Sequence, residues 1–290
     1  GGVVDFQRQP NGHYTAYTSV DASPSRFYEM DKFGTILRDI IPRLSTEPGP
    51  HELRMTDEGY YLFSIEFRHM DLRTYGGREN ARVRGMNIEY ERSVGTPFTW
   101  STFDHLQVTD AAPDIDLTAL NVNPWHGNAI ELDADGNMLV SFRNMDEVTK
   151  INTQTGGIIW RLGGRRSQFR FVNDPLSGFS HQHGVRRLAN GNIILFDNGN
   201  LHVPPLSRPV EYRLDESTHT AELVWEYRHD PPLYGSALGF AQRLENGSTL
   251  ICYGLAQRVI EVDMSGTVQW DLQIDEPLHY AYRAFRIKTF

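Results

Sequence analysis

Three histidines precede tight-turn signals at even spacings: His51 stands eight residues before Gly59, His126 ten before Gly136 and His183 eight before Gly191. Side chains alternate across a strand, so even offsets predict three imidazoles on one strand face. Asn128 and Arg143 flank the middle turn, Asp135-Gly136, at matching distances. Directly opposed residues of antiparallel strands have Cβ atoms about 4.5–5.5 Å apart. His126, Asn128 and Arg143 are therefore expected in one cluster, which His51 and His183 reach from neighbouring units. That cluster is cationic, rich in donors and without a carboxylate of its own. It suits a several-oxygen anion such as sulfate or phosphate, gripped by the planar fork of Arg143. A neutral imidazole is also a nucleophile toward electrophilic sulfur or phosphorus.

Bringing such residues together takes a repeated sheet. Asn11-Gly12, Glu58-Gly59, Asp135-Gly136, Asn190-Gly191 and Asn246-Gly247 each separate two apolar runs, the signature of tight hairpins. A second hairpin follows four of them closely, and Trp100, Trp160, Trp225 and Trp270 close four of the five units. Repeats of about 40–50 residues built from paired hairpins predict an all-β fold, a β-propeller of four-stranded antiparallel blades. The histidines then sit where innermost strands begin, around the central channel. Five complete units plus Tyr280–Phe290, resembling the first strand of another, give an expectation of six blades; a five-bladed ring with a terminal overlap is the alternative. The whole chain, 1–290, is expected to be one domain, with long insertions near 68–125 and 163–180. No stretch shows sustained helical periodicity with good caps.

The net charge of −9 and pI near 5.6 give no electrostatic support for nucleic-acid binding. No apolar run approaches the roughly 18 residues of a membrane span. Cys252 is the single cysteine, which excludes an internal disulfide and a CxxC metal knuckle and predicts a buried small side chain. Asp31, Asp215 and Asp263 recur before second turns and are expected to cap them. The four tryptophans are expected as packing anchors. His181 reads as support for His183, while His105, His202, His219, His229 and His279 have no repeated position.

At the histidines the sequence resembles the bacterial arylsulfate sulfotransferases that use no nucleotide donor. The matching segments are PHELRMTDEGYYLF from Pro50, HGNAIELDADGNMLVSFRNMDEVTKI from His126, WRLGG from Trp160, FSHQHGVRRLANGNIILFDNG from Phe179, VWEYRHD from Val224 and YRAFRI from Tyr282. The resemblance implies a six-bladed propeller in which a central histidine takes a sulfuryl group from an aryl sulfate and passes it to a phenol. His183 corresponds to that nucleophile; His51, His126, Asn128 and Arg143 correspond to residues that hold and polarise the sulfuryl oxygens. No cofactor, metal or nucleotide is implied, and the partners are an aryl sulfate donor and a phenolic acceptor. An exported location, periplasmic or secreted, follows by resemblance alone, and a homodimer stays open. Better-known members carry an N-terminal β-sandwich domain and a disulfide, neither of which is expected here. Phe169, Phe171 and Phe179 either hold the aryl ring or pack as ordinary loop residues.

Two other functions compete. In one, His51, His126 and His183 bind Zn²⁺ or another divalent ion in a metal-dependent propeller hydrolase or lyase, although Arg143 beside them would repel the cation. In the other, the propeller is non-catalytic and binds an anionic ligand or a protein.

Overall fold

The computed structural model describes residues 3–18, 25–45, 47–94, 97–275 and 280–287. His279 lies outside them. Five antiparallel sheets follow one another along the chain. Blade 1 is β1 (Val3–Arg8), β2 (Tyr14–Thr18), β3 (Arg26–Met30) and β4 (Ile36–Ile40). Blade 2 is β5 (Pro48–Thr56), β6 (Gly59–Met70), β7 (Ala81–Arg92) and β8 (Phe98–Ser101), and the short β9 (Asn121–Val122) joins it alongside β7. Blade 3 is β10 (Gly127–Leu132), β11 (Met138–Phe142), β12 (Glu147–Ile151) and β13 (Ile158–Gly163). In the next sheet β14 (Arg170–Val172) adds parallel to the outer edge of blade 4, formed by β15 (His183–Arg187), β16 (Ile193–Asp197), β17 (Arg208–Asp215) and β18 (Thr220–Glu226). Blade 5 is β19 (Phe240–Arg243), β20 (Thr249–Cys252), β21 (Arg258–Val262) and β22 (Val268–Gln273). The longest helix among the described residues is the single turn Thr102–His105.

The turn chemistry explains the hairpins. Gly12, Gly136, Gly191 and Gly247 all adopt φ between 81° and 89°, while Gly59 instead opens β6. The repeated aspartates cap as expected: Asp31 accepts from the Phe33 and Thr35 amides, Asp215 from Ser217 and Thr218, and Asp263 from Ser265 and Thr267. Apolar side chains pack between blades, with separate clusters joining blades 1 and 2, 2 and 3, 3 and 4, and 4 and 5. Trp100 and Trp160 are buried in two of these clusters, and Cys252 is buried in β20. Trp270 departs from the expected anchoring role: it is exposed on the outer strand, with the Arg286 guanidinium over its ring.

The expected sixth blade is corrected: among the described residues there are five, and Tyr280–Ile287 forms no strand. Scattered polar contacts tie this segment to blade 5: Gly239 N–H to the Tyr282 carbonyl, Cys252 Sγ to the Ala281 carbonyl, two bonds between Gln242 and Arg286, and the Arg286–Glu261 ion pair. Such spacing cannot propagate a ladder. The segment acts as a strap instead. Phe285 packs at a tilt against Phe240 of blade 5, while Arg283 reaches Asp5 of blade 1 and Glu52 of blade 2.

Candidate active site

Inner strands of the first four blades share one irregularity. Register slips between Val4 and Gln7 in β1, Pro48 and Leu53 in β5, Gly127 and Ala129 in β10, and His183 and Arg186 in β15. Bulges of this kind twist a strand and re-aim its side chains. His51 and Asn128 lie within such bulges, and His183 begins one. Even spacing alone therefore did not place the imidazoles, because each strand carries extra residues between histidine and turn. At the β15 bulge Gly184 adopts φ 66°, and a Cβ there would come within 2.5 Å of the Phe240 ring. Only glycine fits that position.

The three histidines do meet. The His51 and His126 rings lie 4.8 Å apart, centroid to centroid; His126 feels the charge of both His51 and His183, and His183 feels that of His51. His183 is buried, His51 and His126 are half-buried, and desolvation holds all three neutral. Burial, then the Arg283 and Arg84 guanidiniums, push His51 down to about 3. Burial first, with His51 and Arg143 behind it, holds His126 well below the usual imidazole range. Burial and Arg143 do the same to His183 against the opposing bond to Asn198.

Each ring has a fixed partner. His183 Nδ1 faces Asn198 Oδ1 at 2.7 Å and the His181 carbonyl at 3.1 Å. The Asn198 amide nitrogen donates to the Gly235 and Leu238 carbonyls, so its oxygen must point at the imidazole as an acceptor. The proton of neutral His183 consequently sits on Nδ1, and the lone pair on Nε2. Asn123 donates to His126 Nδ1 at 2.9 Å, which leaves the His126 proton on Nε2. His51 Nδ1 lies 2.9 Å from the Tyr282 hydroxyl, which also reaches the His51 carbonyl. His126 is held at φ 51°, an uncommon backbone state for a non-glycine residue.

Arg143 opens a 3-10 turn instead of continuing β11, and its amide bonds to the His126 carbonyl. Its guanidinium is aimed by Asn144 Oδ1 at 2.7 Å and the Ser236 carbonyl at 3.0 Å. Asn128 is buried beside His183. Its amide nitrogen bonds to the Gln182 carbonyl at 2.7 Å, and Gln182 in turn bonds to Ser141, Phe142 and Glu147 of blade 3. These bonds weld blades 3 and 4 beside His183. His181 is part of the same frame, with its amide on Asp146 and its ring between Asp114 and Asp146.

Beneath the imidazoles lies a buried charge layer. Arg283 contacts Asp5, Glu52 and the Asn128 carbonyl, and Arg186 contacts Glu52. Burial raises Glu52, but Arg186 and Arg283 overcome it and take its carboxyl down to about 2. Burial drives Asp5 up to about 7 against the pull of Arg283. Phe169, Phe171 and Phe179 pack in the cluster between blades 3 and 4, around Trp160 and Tyr212, and do not line the site. Among the described residues no group of three or more His, Cys, Asp or Glu is placed to hold a metal. Sequence reasoning missed Asn198, Asn123, Tyr282 and Arg283. Asn198 lies in the FDNG segment and Tyr282 and Arg283 in the YRAFRI segment already matched, but the last two reach the site by long-range packing; Asn123 stands only three residues before His126.

Fold and site together define a β-propeller with a cluster of neutral imidazoles and a guanidinium on its axis. The arylsulfotransferase (ASST) family model matches residues 3–283, and the chain belongs to that family. Two solved structures are similar in fold. A protein of unknown function from Bacteroides caccae is 13% identical over 97% of this chain and 85% of its own, with a TM-score of 0.58. A luciferin-regenerating enzyme is 12% identical over 95% of this chain and 77% of its own, with a TM-score of 0.50. At these identities the likeness concerns the fold alone. No curated protein is significantly similar to the chain.

Proposed function

We propose that this protein moves a sulfuryl group from an aryl sulfate ester to a phenolic hydroxyl through a sulfo-histidine on His183. The observation that carries this reading is the bond from His183 Nδ1 to Asn198, which leaves a neutral ring with its lone pair on Nε2. In the first step Nε2 attacks sulfur in line, the bond from sulfur to the aryl oxygen breaks, and phenolate leaves with the electron pair. Asn198 Oδ1 still accepts from Nδ1 as the ring becomes cationic. Arg143 and the Nε2–H of His126 donate to the sulfuryl oxygens, the electrostatic contribution that usually dominates such transfers. In the second step the acceptor phenol gives its proton to His51 as its oxygen attacks sulfur, the sulfur–Nε2 bond breaks and His183 regains its lone pair; His51 then releases the proton to solvent, where the departed phenolate takes it up. Asn128 serves here as a positioning residue. The scheme needs no metal and no nucleotide, and family membership supports the substrate class. A periplasmic or secreted location and a homodimer belong to the same proposal and rest on the resemblance alone.

Incubation with p-nitrophenyl sulfate tests it. Release of p-nitrophenolate should rise with added phenol, and phenyl sulfate should accumulate in step with it. Release indifferent to the acceptor, with free sulfate as the product, contradicts transfer.

Low imidazole pKa values also set the pH behaviour. A histidine lowered from its ordinary value near 6.5 to about 3 binds fewer protons folded than unfolded. Its contribution to stability is complete above pH 6.5 and drains away as pH falls toward 3. Denaturant titrations should show progressive loss across that window, and kcat/KM should show no histidine inflection near pH 6.5. An inflection there means that one of these rings titrates normally.

A further inference from the structure

The β6–β7 hairpin outgrows its blade. Its two strands pair from Gly59–Arg92 to Met70–Ala81, whereas β5 accompanies β6 only as far as Ser64. The free arms stand at the end of the sheet where the inner strand begins, which is the end that carries the imidazoles. Most arginines on these arms have local partners: Arg68 pairs with Glu66 and Asp104, Arg73 with Asp71, and Arg82 lies over the Phe67 ring. Arg84 does not. It is half-buried, makes no ion pair or hydrogen bond among the described residues, and its Nε is fully covered with no partner. Glu47 is the carboxylate whose charge it feels, yet the two form no ion pair, and burial holds Arg84 below the usual guanidinium range. A half-buried guanidinium with no bonded partner is costly, and such perturbed groups cluster at functional sites.

The direction of Arg84 follows from Met86. Met86 reaches the histidine strands directly: its sulfur accepts from Gly127 N–H at 2.9 Å, and its methyl lies 3.2 Å from where a Cβ on Gly49 would stand. Arg84 is two residues from Met86 on the same regular strand. It therefore shares Met86's face, about 6.8 Å further along toward the open end. Gly127 adjoins His126 and Gly49 lies two residues before His51, so Arg84 overhangs that pair. Its charge is felt by His51 and His126, whereas Arg143 leads the charges felt by His183.

We infer that Arg84 is the leaving-group residue of this site, placed to hold the aryl oxygen while Arg143 serves the sulfuryl oxygens beside His183. In-line displacement puts the departing oxygen on the side of sulfur away from the attacking nitrogen. Attack from His183 sends the electron pair of the breaking sulfur–oxygen bond toward the His51–His126 side, where Arg84 donates to the developing phenolate. In the return step the same guanidinium orients the acceptor oxygen. This inference rests on the sulfuryl-transfer reading.

A leaving-group series on wild type and Arg84→Gln tests it. Removing a donor aimed at developing charge costs roughly 10²–10³-fold, and that full loss is expected with phenyl sulfate. A stable leaving group needs less help, so p-nitrophenyl sulfate should lose at least about tenfold less. Arg84→Lys should recover part of the phenyl sulfate rate, and both variants should unfold at the wild-type midpoint. Equal losses across the series, or no loss, overturn the leaving-group role while the transferase reading stands. A wild-type protein that transfers no sulfuryl group from any ester sinks both.

Discussion

His183→Ala is expected to lower sulfuryl transfer from p-nitrophenyl sulfate about 10⁴-fold or more while the protein stays folded. The size follows from chemistry, because no other ring has a free lone pair with the same support. His126 has its proton on Nε2, and His51 stands against Tyr282. The loss should belong to kcat, since Arg143 and His126 would still bind the ester. Added imidazole should restore part of the rate by entering the space left by the ring. Asn198→Ala gives the companion result. Without the acceptor on Nδ1 the two neutral tautomers compete, and a loss of about 10²–10⁴-fold is expected, by analogy with orienting groups in other histidine systems. Rates that survive His183→Ala but fall with His51→Ala would move the nucleophile to the other ring.

Arg208→Met is expected to cost about 3–5 kcal/mol of stability, the range found when one member of a buried ion cluster is removed. Arg208 is fully buried and touches Asp174 and Asp197 at 3.0 Å, Glu226, and the Gly178 carbonyl at 2.8 Å. The Tyr212 hydroxyl also donates to Asp174, and Asp197 holds the Ser180 amide. Methionine fills the space but leaves buried carboxylates without their guanidinium. By contrast, Arg213 pairs with Glu222 on the exposed part of the same blade. Such pairs contribute about 0–1 kcal/mol, so Arg213→Met should be nearly neutral. Urea unfolding at pH 7 separates the two, and a loss below about 1 kcal/mol for Arg208→Met would contradict the account. Asn198 follows Asp197 directly, so activity should fall with stability at Arg208.

The repeated architecture was legible because it rests on local chemistry. Asn-Gly and Asp-Gly turns, alternating strands and turn-capping aspartates each announce themselves within a few residues. The histidines were legible from their recurrence before those turns. Their orientation was not: bulges in β5, β10 and β15 cancel the parity argument, and no short sequence signal marks a bulge at His51 or Asn128. The blade count failed on Tyr280–Phe290, which has the composition of a strand, whereas among the described residues Tyr280–Ile287 pairs in no ladder. Its Tyr282 and Arg283 became part of the site through contacts with residues more than two hundred positions away. Phe169, Phe171 and Phe179 had only their aromatic type to suggest a role, and the core between blades 3 and 4 claimed them.

Mass analysis of the protein quenched during turnover of p-nitrophenyl sulfate addresses the central claim most directly. One acid-labile sulfuryl group should appear on the peptide that contains His183, disappear on addition of phenol, and be missing from His183→Ala. Turnover with an unmodified His183, or with the group carried by another side chain, contradicts a sulfo-histidine at this ring.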